Sequence, residues 1–523
     1  NHVNFTWGNG GYVTDGFDIY HQGNGTITQP TGSRPFAVAV VGIAIDVDNG
    51  NVEYYINGTL NGKCLGITNF TKPLHVGLAY ATSTITAASN AQVINFGQNG
   101  AFCGHVSAGG NSDVNGIGDF KYTPPTNYLA MCVANLPTPA VALPGEHFNT
   151  VLWTGADTSA AKSVTGVGFQ PDIVWSKSRT DAFWHNVYDA VRGVGKRLLS
   201  NDVTVEATNH AYGYLSAFDA DGFTTAAGST NNENWNKTSS NYYAWNWKAG
   251  GAPTADNSAA AGAVPTAGSV KIDGANFTGN LAGSIAATRL SANTTSAFSI
   301  TKYEGNDTVG ATVAHGLGVA PDLVIVKSID CVYGWDTTSP VLGTTGDTTG
   351  GLAEYYMVRL DHTMAKADWG EDNIFGLAST TFSVGSSGNM NEVNNSSYNY
   401  VAYCFGEVDS YCKIGTYEGN NTANGPFVYT GFRPAFILMK SITTGGSATY
   451  AWSIVDNKRT PYNIQRSLLK ANATAAEDTG ATADVDILSN GFKPRYSPNE
   501  TNGPNTYIYM AFAEAPFKYA NAR

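Results

Sequence analysis

Three observations predict an all-β chain built from several β-sandwiches. Charged residues make up only 13% of the sequence while it holds 59 glycines and 28 tyrosines, a composition that suits short strands joined by tight turns. Its 523 residues exceed what one hydrophobic core ordinarily serves, so several domains are expected. Finally, one strand-like phrase is written three times: "GFQPDIVWSKSR" at 168–179, "LGVAPDLVIVKSI" at 317–329 and "TGFRPAFILMKSI" at 430–442. A phrase repeated in this way marks a repeated structural unit.

Both alternating faces of the phrase are apolar, so it reads as a strand buried between layers. Pro171, Pro321 and Pro434 stand where each strand should open, and Lys177, Lys327 and Lys440 where it should meet water. Upstream, "VLWTGAD" (151–157), "ITKYEGND" (300–307) and "IGTYEGNN" (414–421) each run as a strand into a Gly-containing turn. Downstream come the turn-plus-aromatic pieces "DADGFT" (219–224), "STTFSVG" (379–385) and "SNGFKP" (489–494). Each unit then closes on an alternating aromatic strand: "YYAWNWKAG" from Tyr242, "YVAYCFGEV" from Tyr400 or "YIYMAFAEA" from Tyr507. Trp184, Trp335 and Trp452 follow the three lysines and are expected in the core, because what a repeat preserves is its fold. The units span 147–250, 298–410 and 411–523, a length that suits a sandwich of short strands. Between the first two, residues 251–297 read as an Ala/Gly/Pro-rich linker followed by extra strands at "SVKIDG" and "SIAATRLSANTTSAFSI".

Residues 1–140 lack the repeat. Here "AVAVVGIAIDVDNGNVEYYINGT" (37–59) reads as a hairpin about the turn Asp46-Val47-Asp48-Asn49-Gly50. Although the Asp-x-Asp-Asn-Gly run suggests calcium, it lacks the downstream ligand spacing and the Glu of an EF-hand loop, and turn chemistry accounts for it better. The hairpin resembles that of the SPRY family of concanavalin-like β-sandwiches. That resemblance covers about the first 100 residues and implies that this module is shortened at its N-terminus. The chain starts without Met, and its opening "NHVNFTWGNG" lacks the regions of a signal peptide, so a processed or partial product is expected. Further on, "INFGQNGAF" (94–102), the "PDIVWSK" phrase, "DAVRG" (189–193) and "WNWKAGG" (245–251) resemble signatures of a group of phage virion proteins. What this resemblance implies is a tail-fibre-like or head-appendage protein, with a localisation on the virion or outside the cell.

The net charge of −12 argues against phosphate-backbone binding to nucleic acid, and no apolar run reaches bilayer length. Six cysteines without a C-x-x-C are too few for a disulfide framework and read as mostly buried thiols. Asn-x-Ser/Thr sequons recur, as at Asn24 and Asn276, at a frequency that chance explains in so Asn- and Thr-rich a chain. No G-x-S-x-G, H-E-x-x-H or P-loop occurs, so neither a catalytic set nor a metal or other cofactor is expected. His185 and His315 read as packing or turn residues, and Glu304 and Glu418 as turn residues.

Binding is expected where the units differ, on loops carried by the rigid scaffold. The Thr/Gly-rich stretch 337–351 fits that description, with Tyr333 at its base and Asp347 near its tip as candidate ligand contacts. The function expected is non-enzymatic attachment of a virion to a host-surface glycan or protein. A fibre-borne polysaccharide depolymerase and a purely structural decoration or filament protein are the alternatives. The partners expected are other virion proteins, met through a missing N-terminal part, and further copies of the chain, a trimer being favoured because exposed strand edges call for covering.

Overall fold

The computed structural model describes residues 3–6, 18–21, 26–28, 40–66, 93–349, 352–370, 373–385, 392–480, 484–496 and 500–521. The chain divides into two compact units, Asn1–Pro137 and Thr138–Arg523.

In the first unit, the strands Val41–Asp46, Asn51–Ile56, Thr59–Leu65 and Thr26–Thr28 form a four-stranded antiparallel sheet. The Asp46 carboxylate accepts from the Asn49 backbone N–H at 3.0 Å and from its amide at 2.8 Å, so turn hydrogen bonding employs it. Residues 67–92, which carry part of the SPRY-like stretch, lie outside the described residues.

In the second unit, each repeat is a sandwich of two sheets whose shared strands pair antiparallel. The larger sheet holds the same five strands in the same order three times. In the first repeat this order is Lys196–Leu199, Asn186–Asp189, Ile173–Ser178, Asn241–Trp247, Phe148–Thr154. In the second it is Met357–Arg359, Trp335–Thr338, Leu323–Ser328, Asn399–Phe405, Phe298–Glu304, and in the third Leu469–Lys470, Ser453–Asp456, Phe432–Ser441, Thr506–Pro516, Cys412–Glu418. The smaller sheets also agree in order: Lys162–Thr165, Gly222–Ala226, Tyr214–Asp219; then Ala311–Ala314, Thr381–Val384, Ile374–Phe375; then Val428–Tyr429, Gly491–Pro494, Val485–Leu488. Within 251–297, Val270–Ile272, Ala275–Asn276 and Ala287–Asn293 are strands that extend the second repeat's larger sheet.

The repeated sequence signals have local causes. An aromatic in each opening strand donates to a backbone carbonyl: Trp153 to Trp235, Tyr303 to Val393 and Tyr417 to Thr501, at 2.7, 2.7 and 2.6 Å. Each also stacks on an aromatic of the closing strand, Tyr242, Tyr400 or Tyr507, at ring separations of 5.4, 5.3 and 5.0 Å. The turn glycines Gly155, Gly305 and Gly419 lie so close to the backbone of 236–237, 394–395 and 502–503 that any side chain there would overlap it. Asn236, Asn394 and Asn502 complete the motif by accepting from the N–H of Ala156, Asn306 and Asn420. In two of the phrases Asp follows Pro and ties the strand to the end of the closing strand. Asp172 accepts from the Ala249 N–H at 2.7 Å, and Asp322 from the Glu407 N–H at 2.6 Å.

The three sandwiches close on one another around a common core. Trp247, Phe405 and Phe512 hold equivalent places in the closing strands, and their rings meet pairwise at 6.4, 5.6 and 6.0 Å, which defines a pseudo-threefold axis. Backbone hydrogen bonds run round this axis from Glu206 to Ile329, from Lys366 to Ile442 and from Glu477 to Arg179. Side chains follow the same cycle: the Trp335 indole donates to the Leu199 carbonyl and the Trp452 indole to the Arg359 carbonyl, both at 2.8 Å. Tyr403 and Trp245 donate across interfaces to Asp189 and Asp456. Each of these aspartates also holds an arginine three residues on, Arg192 or Arg459, within the buried shell.

Three expectations are corrected. Trp184 is 40% exposed, whereas Trp335 and Trp452 are 2% exposed. The pairing of Asn186 with Ser176 places His185 opposite Lys177, as Trp335 stands opposite Lys327, so His185 holds the core position and Trp184 falls on the other face. Lys177, Lys327 and Lys440 do not meet water but are fully buried. Pro434 sits inside its strand at a register shift instead of at its start, where a bulge tolerates the missing N–H.

Candidate functional site

The cleft of interest lies on the first repeat. In its larger sheet, Val187 and Leu198 face the common core, so strand alternation turns Asn186, Arg197 and Leu199 to the opposite face, the side of the smaller sheet. The smaller sheet has only three strands, and part of that face carries instead a cleft of about 270 Å³ lined by Trp184, Arg197, Leu199, Asp202, Thr204, Val205 and Ala207.

Arg197 is 7% exposed and incompletely paired. Its Nη1 reaches Asn186 Oδ1 at 3.4 Å, its Nε has no hydrogen-bond partner, and no carboxylate lies within ion-pair distance among the described residues. Burial lowers its pKa, which expresses the cost of an unneutralised buried cation. Asp202 supplies the opposite chemistry: one carboxylate oxygen accepts from the Thr204 N–H at 2.9 Å.

The segment carrying Asp202 is held from behind by the second repeat. Trp335 donates to the carbonyls of Leu199 and Asp202, Lys327 donates to the Val203 carbonyl at 3.2 Å, and the Glu206 N–H donates to Ile329. Ser200 anchors it to the third repeat through the Ala471 carbonyl at 2.9 Å. A segment fixed at so many points presents its side chains with little left to order on binding.

The cleft residues are peculiar to the first repeat. In register, Trp184 corresponds to Gly334 and Ala451, and Arg197 to Met357 and Leu468. Neither Trp184 nor Arg197 is among the expected contacts, yet the sequence holds a signal for both, since each differs from two residues of another kind at its repeat position.

Of the expected contacts, Tyr333 is half-buried. The backbone of Asp347 lies in the strand Thr344–Thr349, while its side chain is outside the described residues. Over its described residues, 337–349, the stretch is largely strand instead of loop, which corrects that expectation. Thr337 and Thr338 are buried members of the strand Trp335–Thr338, and Thr344–Thr349 pairs with Leu352–Tyr355 as a hairpin. The β-branched threonines, which stand in adjacent pairs at 337–338, 344–345 and 348–349, serve as strand residues there despite the neighbouring glycines.

Two other groups bear on chemistry. The Arg359 guanidinium joins Asp336 and Glu392, whose side chains are 0% and 5% exposed. Burial, with Glu392 beside it, holds the Asp336 carboxyl well above the usual range. Among the described residues these two carboxyls are buried side by side around the Arg359 guanidinium, which gives them a structural partner. His315 is buried, accepts from the Leu317 N–H at 3.2 Å and approaches the Ala378 carbonyl at 3.0 Å, while Glu304 and Glu418 sit exposed at strand ends. The cysteine expectation is also corrected. Among those described, Cys404 and Cys412 are buried, Cys331 and Cys132 are intermediate, and Cys103 is exposed.

Fold and cleft together define a protein of three repeated β-sandwiches joined by a common core. Residues 143–276 and 271–516 match a family described as a domain of unknown function, DUF7483, and the chain belongs to that family. No curated protein and no solved structure is significantly similar to it.

Proposed function

We propose that this chain is a non-enzymatic virion appendage, a tail fibre or head fibre, that attaches a phage particle to a glycan on the host surface. The observation that carries this reading is the cleft at Trp184, where an exposed aromatic stands beside an incompletely bonded guanidinium and a carboxylate on a rigid support, at a place where the repeats differ. Aromatic side chains with an apolar body and a polar edge suit the mixed faces of a sugar ring. The resemblance to virion-protein signatures at 168–179, 189–193 and 245–251 supports the location. Immunogold labelling of intact virions with antibody to this chain should mark the particle surface, and the purified chain should slow phage adsorption to host cells. Unlabelled virions together with unaltered adsorption would overturn the reading. Labelled virions whose adsorption the chain does not slow would favour a structural decoration.

A further inference from the structure

The geometry points to the Trp184 cleft as a subsite for a single neutral pyranose ring, with Trp184 as the stacking platform and Arg197 and Asp202 as the paired donor and acceptor for ring hydroxyls. This inference rests on the attachment reading above and names its ligand class.

Size argues for one ring. At about 270 Å³ the cleft falls just below the range of about 300–1,000 Å³ that drug-sized ligands occupy. Charge argues for a neutral one. Arg197 brings an incompletely bonded guanidinium and Asp202 a carboxylate into the same cleft, yet the two are not within ion-pair distance. Their charges offset, so an anionic sugar would gain at Arg197 and lose at Asp202. A hydroxyl group both donates and accepts, so neighbouring hydroxyls can satisfy the two residues at once. The Nε of Arg197 is unsaturated but closed off, so a ring hydroxyl would meet the part of the guanidinium side chain that lines the cleft. The apolar lining from Leu199, Val205 and Ala207 suits the C–H faces of such a ring. Because the other repeats carry Gly334 with Met357 and Ala451 with Leu468, the chain should hold one such site.

Titration calorimetry of the full chain with D-glucose, D-galactose, D-mannose, N-acetyl-D-glucosamine and D-glucuronate tests this. At least one neutral sugar should bind saturably in the millimolar range, one per chain and more tightly than glucuronate. Trp184→Ala and Asp202→Asn should each weaken it at least about tenfold with an unchanged melting temperature. Arg197→Gln should do the same and Arg197→Lys should restore part of the affinity; should Arg197→Gln fail to fold, Trp184→Ala and Asp202→Asn decide. Absence of binding by every neutral sugar, tighter binding of glucuronate, or affinity untouched by Trp184→Ala would overturn the inference. The two readings fail separately. Host-cell binding that survives Trp184→Ala in full overturns the sugar site alone, whereas sugar binding by a chain that does not adhere to host cells overturns attachment alone.

Discussion

Lys177, Lys327 and Lys440 stand near the ends of the three repeated phrases, and all three are fully buried without an ion pair among the described residues. Each ammonium group donates to backbone carbonyls instead. Lys177 reaches those of Ser178 and Asp181, Lys327 those of Val203, Ser328 and Cys331, and Lys440 that of Tyr450. Burial pushes their pKa values down from 10.5 to about 8, 8 and 7. Unfolding therefore takes up protons at neutral pH, and stability must rise as pH climbs through the native lysine values from about 7 to 8.5. Above about 9 the trend reverses, because the buried thiols Cys404 and Cys412 and buried tyrosines such as Tyr243 and Tyr417, whose pKa values burial raises, ionise only once unfolded. A melting temperature that increases from pH 7 to about 8.5 is the expected result. Lys440→Met should flatten that slope by roughly a third, one of three such groups being removed. A flat profile in the unaltered chain would show that the carbonyls keep these ammonium groups charged. The sequence made the position of each lysine plain, as the third-last residue of a repeated phrase, but not its burial. Lys is ordinarily exposed, and the acceptors that permit burial come from loops such as 181, 203 and 450, which the phrase does not contain.

At the scale of the elements, the phrase strands, the closing strands and the hairpins were legible because each is a local pattern of alternation and turn residues. What alternation cannot supply is a register between strands distant in sequence. A one-residue offset separates Trp184 from Trp335 and Trp452, and it decides which face each occupies. The Asn-centred motif had a legible signal too, in "NWN" at 234–236, "EVN" at 392–394 and "ETN" at 500–502, each ending on the asparagine that caps the Gly turn. The hairpin Thr344–Tyr355 was obscured by its glycines, and its place in the second repeat yields a prediction. Joining Thr345 to Ala353 by a short Gly-Ser bridge removes only the hairpin end and should leave the fold intact, since loop closure changes little with length. Replacing all of 337–351 should unfold the repeat, because Thr337 and Thr338 pair with Val358 and Met357 inside the larger sheet. Circular dichroism melts of the two variants distinguish these outcomes, and equal stability would contradict the strand placement.

At the scale of the whole second unit, the repeats are parts of one body. A lone sandwich would bury the interior between its own two sheets, but the outer face of its larger sheet would stay uncovered. In the first repeat that face carries Phe148, Ile173, Trp175, Trp245 and Trp247, none more than 5% exposed in the complete chain. Such a patch of large apolar side chains in water favours association over a monomeric fold. Residues 138–523 should therefore melt in a single calorimetric transition, while the isolated segment 147–250 should aggregate or bind hydrophobic dyes. The cyclic pattern sharpens this expectation. Trp452 belongs to the third repeat but donates to Arg359 of the second, and truncation of a buried Trp costs about 3–5 kcal/mol. Trp452→Ala should accordingly lower the one transition temperature of the whole unit and not split off a separate melting of the third repeat. A second, lower transition in that variant, or a soluble monomeric 147–250 fragment with native near-ultraviolet dichroism, would show that the sandwiches fold independently and that the common core only docks them.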